Sequence, residues 1–434
     1  MNYFQVFILS VFFLYSSAHA VTNVDITKSN VAPVPIAIPE FIGDEKEQND
    51  LWLMRRVIVN DLETTGLFRV VNSDAYIQKI TDLKASVEFA SWRQVNASAL
   101  LLGQMKMSDG KISFSYKVWD VFSQKLVSSK TLTSSVANIR SIAHKVADDI
   151  YYHFIGDVGY FNTKIAYISV LRHGKELTRR LSIMDHDGAS HKFLTKGENI
   201  VLTPRFSPDS QELLYLSYKD RSAPKVMVMN LKTGFSRVIG KFDGMSYAPR
   251  YTPDGKKVLL SAEKRGVSNI FLVDLDTMDE TKLTNCNSIC VSPSPSPDGK
   301  KVVFNSDMGG GKHLYVMNID GSNIKRISFG NGAYSGPVWS PRGDLIAFTK
   351  MVPGRGFFIG VMKTDGTGER IISRGWLVEG ATWAPNGRVI LFEKVANENS
   401  RDPRVHAIDI SGHNEMTLNT PYNASDASWS HLIK

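Results

Sequence analysis

Serine hydrolases that carry a propeller place the nucleophile on a Gly-x-Ser-x-Gly elbow, where a sharp turn exposes the hydroxyl. The nearest matches here, Gly244-Met-Ser246 and Gly266-Val-Ser268, both lack the second glycine. A zinc protease needs two histidines one helical turn apart with a glutamate beside them, and no His-Glu-x-x-His occurs. The ten histidines are scattered along the chain. Gly309-Gly-Gly-Lys312 has the glycines of a phosphate loop but neither its spacing nor the following Ser or Thr, and reads as a flexible loop. Asp185-His-Asp-Gly188 and Asp274-Leu-Asp276 fall where strands end, so turn chemistry accounts for them better than calcium does. No catalytic set, metal site or cofactor-binding motif is expected.

Composition narrows the classes further. The 434 residues carry 43% hydrophobic and 22% charged side chains, which describes a globular chain. A net charge of +8 without a Lys/Arg-dense block does not argue for nucleic acid. Two cysteines cannot build a disulfide scaffold. Cys286 and Cys290 lie four residues apart in one loop, and either a local disulfide or two free buried thiols fits that spacing.

The elements that would position any site come from a repeat. Pro204-Arg-Phe-Ser-Pro-Asp-Ser210 recurs at Pro249, Pro293 and Pro337. A fifth copy, Ala381-Thr-Trp-Ala-Pro-Asn-Gly387, has lost its first proline, and a sixth begins at Ala427. The copies start 45, 44, 44, 44 and 46 residues apart, the size of a four-stranded propeller blade. Within each unit the Pro-Asp-Gly turn is followed by short β-rich runs such as Val302–Phe304 and Leu314–Met317. Ile165–Ser169, Leu181–Met184 and Lys192–Leu194 supply three strands of a unit that lacks its first. Ala427–Ser430 is a first strand without its other three. The spacing therefore predicts six blades over residues 160–434, closed by the C-terminal strand sitting innermost in the N-terminal blade. Closure removes exposed sheet edges. Trp339, Trp383 and Trp429 belong to innermost strands and read as core rather than as a sugar platform.

Residues 34–156 lack the repeat and read as an α/β domain. Helices are expected at Glu45–Leu62 and Val136–Phe154, and Ser108-Asp-Gly110 signals a hairpin. The fold class is thus a two-domain α+β/all-β chain. Residues 1–20 read as a secretory signal: an apolar run too short to span a bilayer, then Ala18-His-Ala20, with cleavage between Ala20 and Val21. Residues 21–33 need not pack and read as a mobile arm.

An exported chain with these two domains resembles the TolB family, the periplasmic component of the Tol–Pal envelope system. The residues that carry the likeness are Pro35–Phe41, Asp61 with Thr65–Phe68, Leu102-Gly-Gln104, Thr163–Ile168 and Ser182–Gly188, besides the repeats. The resemblance implies a non-enzymatic periplasmic monomer. It implies binding of the lipoprotein Pal at the propeller mouth and of the inner-membrane partner TolA by the arm, with Val21, Thr22, Val24 and Ile26 as arm contacts. Other envelope proteins are further expected partners, and nucleic acid and a membrane span in the mature chain are not. Such a scaffold supports outer-membrane integrity and envelope constriction in cell division. By the same likeness Met245, Ala248 and Asn305 fall at Pal-proximal positions.

Independently of the family, one propeller face carries repeated tight turns and the other carries variable loops, where recognition is expected. The loop-face candidates are Met245, Ser246, Tyr247, Ala248, Arg265, Asn305, Asp307 and Tyr334, with Tyr247 or Tyr334 beside Arg265 as an aromatic anchor. A secreted six-bladed enzyme or small-ligand binder is the alternative, and it would need carboxylates or histidines converging from several blades.

Overall fold

The structure is a computed structural model that describes residues 32–433, except residues 175, 219–222, 241–244 and 401. The expected signal, the arm contacts Val21 to Ile26 and the loop around Lys219–Arg221 lie outside the described residues. Among those described, no helix is long and apolar enough to cross a membrane.

The first domain is built in chain order from β1 (Val34–Ala37), α1 (Gln48–Thr64), β2 (Phe68–Val70), α2 (Phe89–Gln94), β3 (Ala99–Ser108), β4 (Lys111–Asp120), β5 (Lys125–Ser135) and α3 (Ile139–Ile155). Its sheet runs β2-β1-β3-β4-β5, with β1 parallel to both neighbours and the rest antiparallel. Alternation along the strands feeds two layers. Ile36, Leu101 and Met105 join the core under α1 and α3, while Ala37, Leu100 and Leu102 pack against Trp92 of α2 on the opposite face. The β3–β4 turn is two residues, Asp109 and Gly110, both at positive φ, as a tight hairpin requires. Gly103 has no room for a side chain. A Cβ there would lie 2.4 Å from the Phe114 ring and 2.8 Å from that of Phe41. The short α2, and the irregular segment before it, carry no repeat or long apolar period and were not expected from sequence.

Six four-stranded sheets follow, as the repeat predicts. The innermost strands are Asn423–Trp429, Ile200–Phe206, Ser246–Tyr251, Cys290–Pro295, Ala333–Trp339 and Leu377–Trp383. The first pairs antiparallel with Lys164–His173, so the last strand of the chain completes the first blade. Trp429 is buried, and its indole N–H donates to the Thr163 hydroxyl at 2.7 Å.

The repeated turn owes its sequence to one hydrogen-bond pattern. In the second, third and fourth blades the Ser or Thr hydroxyl (Ser207, Thr252, Ser296) donates to the Asp two residues on, at 2.5–2.6 Å. The same carboxylate accepts the backbone N–H of residue 211, 256 or 300. Each innermost strand also carries a bulge, with one residue at positive φ: Thr203, Ala248, Ser292, Gly336, Gly380 and Asp426. Bulges bend a strand and re-aim its side chains. Here they recur once per blade around the axis.

Deleting residues 423–434 should lower the melting temperature and expose an unpaired edge, and Trp429→Ala alone should cost about 3–5 kcal/mol. Denaturant unfolding followed by circular dichroism checks both. Unchanged midpoints would contradict closure by this strand.

Candidate functional site: the domain junction and the loop face

Two regions concentrate polar or exposed apolar side chains, one between the domains and one on the far side of the propeller. At the junction, Asp61 projects from α1 into full burial. One carboxylate oxygen takes His144 Nδ1 of α3 at 2.7 Å, and the other takes His186 Nε2 of the first blade at 2.9 Å. An ionised carboxylate only accepts, so each imidazole donates at that nitrogen. Burial alone would raise the Asp61 carboxyl, but the His144 and His186 charges and hydrogen bonds hold it below its ordinary value. Burial works against a charged His186 ring, yet the Asp61 carboxylate and its hydrogen bond raise that ring above its ordinary value. Beside them, burial lifts Asp148 to about 6, against the N–H groups of Phe161 and Asn162 that it accepts.

The same turn supplies two more carboxylates. Arg140 of α3 binds Asp185 and Asp187, and Lys164 binds Asp185 from the adjoining strand. Asp185-His-Asp-Gly188 is therefore a turn, with Gly188 at positive φ, but its side chains do more than shape the turn: they clasp the domains. Asp61, His144 and His186 place one ligand atom each within 4.8 Å of one another, and His144, Asp185 and Asp187 do the same. In the first group the spacings to Asp61 are those of hydrogen bonds, and in the second the carboxylates already hold Arg140 and Lys164. A cavity of about 230 Å³ opens beside His186, between Thr64 and Tyr160 on one side and Arg388 and Met416 on the other.

Two further contacts fasten the junction, and both come from repeats that depart from Pro-Asp-Gly. Arg342 stands in the Pro-Arg-Gly copy and, with Arg388, binds Asp157 at 2.7 Å. Asn386, of the Pro-Asn-Gly copy, donates to the Val158 carbonyl at 2.9 Å. The first domain thus sits on the turn face. Scanning the repeats for their exceptions would have located this interface; distance in sequence hid the histidines.

The loop face is left clear of the first domain, and the structure sorts its candidates. Met245 is 42% exposed, and Arg265 is exposed at the tip of its hairpin with φ +55. Tyr247 is half-buried, its hydroxyl 2.6 Å from that of Ser268. Ala248 is the bulge residue. Asp307 accepts the Ile289 N–H at 2.9 Å and so pins a loop. Ser246 and Asn305 are buried; the Asn305 side chain accepts the Gly336 N–H at 3.4 Å. Tyr334 cannot be a surface anchor. It is 0% exposed, donates to Glu369 at 2.8 Å and lies under Lys350. An aromatic between flanking loop residues looked exposed in sequence, but it falls inside its strand, in the blade core. Sequence reading missed the exposed apolar residues of these loops: Ile289, Met308, Phe329 at 71% and Trp376 at 51%. Cys286 and Cys290 are joined by a disulfide in the same region.

A family model described as the TolB beta propeller domain matches residues 151–433, and one described as the TolB amino-terminal domain matches residues 22–127. The chain belongs to the TolB family. A protein of Rickettsia prowazekii (strain Madrid E), named Tol-Pal system protein TolB, is 44% identical over 263 residues, 60% of this chain and 58% of that one. A Paramagnetospirillum magneticum (strain ATCC 700264 / AMB-1) protein of the same name is 46% identical over 246 residues, 56% and 55% of the two chains. The matched stretch thus spans under two thirds of the curated relatives. The crystal structure of TolB from Acinetobacter baumannii shares the fold, with a TM-score of 0.82 at 24% identity over 93% of this chain and 97% of that one.

The junction has a pH signature. His186, raised above 6.5, contributes fully below that pH and loses its contribution as pH rises through its folded value. Asp61, lowered below 3.8, contributes fully above that pH and loses it as pH falls through its folded value. Asp61→Asn should therefore cost most, about 3 kcal/mol, between roughly pH 4 and 6.5. The difference from the parent chain should shrink toward both extremes, as melting curves across pH would record.

Proposed function

We propose that this chain is a non-enzymatic periplasmic scaffold of the Tol–Pal system. In this reading the propeller loop face binds the lipoprotein Pal, and the segment from Val21 to about residue 30 binds TolA. The observation that carries it is the division of the propeller's two faces. The first domain occupies the tight-turn face, while Met245, Ile289, Met308, Phe329 and Trp376 stand exposed around the other. An arc of exposed large apolar residues from four neighbouring blades, with Arg265 among them, has the composition of a protein interface rather than of a solvated rim. Aromatic and Arg side chains dominate binding energy at such surfaces, so Trp376, Phe329 and Arg265 are the expected anchors, with Met245 and Tyr247 packing beside them. Ser246, Ala248, Asn305 and Asp307 act by holding strand and loop geometry, not by contact. Family membership and the relatives' shared name support the system, and the signal-like first 20 residues support the compartment.

Titration of the mature chain with the soluble part of Pal tests the face. Trp376→Ala and Met245→Ala should each weaken binding about tenfold or more, and Tyr334→Phe should not. Removing residues 21–30 should abolish TolA binding and leave the Pal site able to bind. Unchanged Pal affinity in Trp376→Ala, Met245→Ala and Arg265→Ala together would refute the assignment.

A further inference from the structure

One position in the repeat departs from its copies in two neighbouring blades. The residue two before the Ser, Thr or (once) Ala that opens the turn is Ser294, Val338, Thr382 and Ser428 in four blades, but Arg205 and Arg250 in the other two. The fold does not need a cation there, since four blades manage without one. Each arginine follows a bulge, at Thr203 or Ala248, and both line the turn-face mouth of the propeller channel. The cavity they share is about 420 Å³, walled by prolines and by Trp339, Trp383 and Trp429. Among the described residues no carboxylate lines it.

We propose that Arg205 and Arg250 form a binding site for a small organic anion carrying a carboxylate or phosphate group. The Arg250 side chain makes no hydrogen bond or ion pair among the described residues. The Arg205 side chain gives one hydrogen bond, to the carbonyl of the adjacent Pro204 at 2.6 Å. The acid nearest in effect, Asp426, forms no ion pair with it. Burial disfavours the charged form of both side chains, and at Arg250 the neighbouring Arg205 charge adds to that. Two like charges taken partly out of water without a counter-ion are costly, and a bound oxyanion supplies the missing partner. Guanidinium forks match carboxylate and phosphate oxygens in pairs. The cavity exceeds a bare ion and falls in the range of small-molecule sites, with apolar walls around a few polar groups. Glu379 and Glu393, partners on adjacent strands of the last full blade, do not line this pocket; burial with Asp426 nearby lifts Glu393 to about 8.

Calorimetric titration of the mature chain at constant ionic strength, with citrate and separately with inorganic phosphate, tests the site. Saturable one-to-one binding of either is expected, weakened about tenfold or more by Arg205→Ser or Arg250→Ser. Serine already occupies this position in two blades, so the variants should fold. Without anion, Arg250→Ser should melt no lower than the parent chain, because it removes an unpaired cation. Binding of citrate alone identifies a carboxylate ligand, and binding of phosphate alone a phosphate ligand. No saturable binding of either, or binding unchanged in both serine variants, overturns the proposal.

Discussion

The pairing of the chain's last strand with its first propeller strand holds this molecule together. Asn423–Trp429 lies against Lys164–His173, and just beyond it the Ser430 N–H donates to the Lys164 carbonyl at 2.9 Å. The Ile433 N–H then reaches the Asn162 carbonyl at 3.0 Å. Residues 160–163 are also the link between the domains, so closing the ring and seating the first domain use the same few residues. The Tyr160 ring stands edge-on to Trp429 at 5.6 Å, and Phe161 packs on Tyr151 of α3. One apolar cluster accordingly runs from Ile58 and Val146 through Phe161 to Trp429 and Leu391 without a break. An open propeller would lose both a strand partner and the floor of the first domain.

On that frame the repeat fixes what is common and its exceptions fix what is particular. Where Ser/Thr-Pro-Asp is intact, the carboxylate turns inward and one oxygen accepts both the hydroxyl and a backbone N–H of its own turn. Where it becomes Pro-Arg-Gly or Pro-Asn-Gly, the side chain is released outward, and Arg342 and Asn386 both reach the first domain. The same logic applies four residues earlier, on the innermost strand, where two arginines replace small or neutral residues and line the channel mouth. The turn that satisfies itself is kept in three blades; the contacts to the first domain come from copies that depart from it.

This difference also explains how far the sequence could be read. Periodicity reports local geometry, so blade number, strand order, closure and the β3–β4 hairpin were legible from turn residues and their spacing. Asp61, His144 and His186 were not, because they come from a helix, another helix and a blade turn, and no local rule joins residues 83 and 125 positions apart. Asp185-His-Asp-Gly188 read correctly as a turn and incompletely as chemistry, since two partners of its side chains, Arg140 and Asp61, lie in the other domain. On the loop face, hydrophobicity could not separate Trp376, which projects from a blade-to-blade link and was missed, from Tyr334, which was chosen but falls at an inward position of its strand. Facing is set by strand register, and register depends on where the bulge falls.

The arrangement gives the two faces of the propeller a mechanical relation. The point where the described fold begins is held firmly: β1 has a parallel neighbour on each side, and the Val34 N–H donates to Leu67. Leu67 follows directly on α1, whose Asp61 is clasped by His186 of the first blade. That blade is the one completed by Asn423–Trp429, whose bulge residue Asp426 influences Arg205 and Glu393 inside the channel. Arg205 and Glu393 are thus in electrostatic contact with the closing strand. The closing strand packs on Tyr160, and Tyr160 lines the same interdomain cavity as His186, one of the two rings that hold Asp61. Contiguity of this kind is a route and not a coupling energy. What makes it more than proximity is that its middle element is a buried carboxylate held between two titratable rings, an arrangement whose strength changes with one proton.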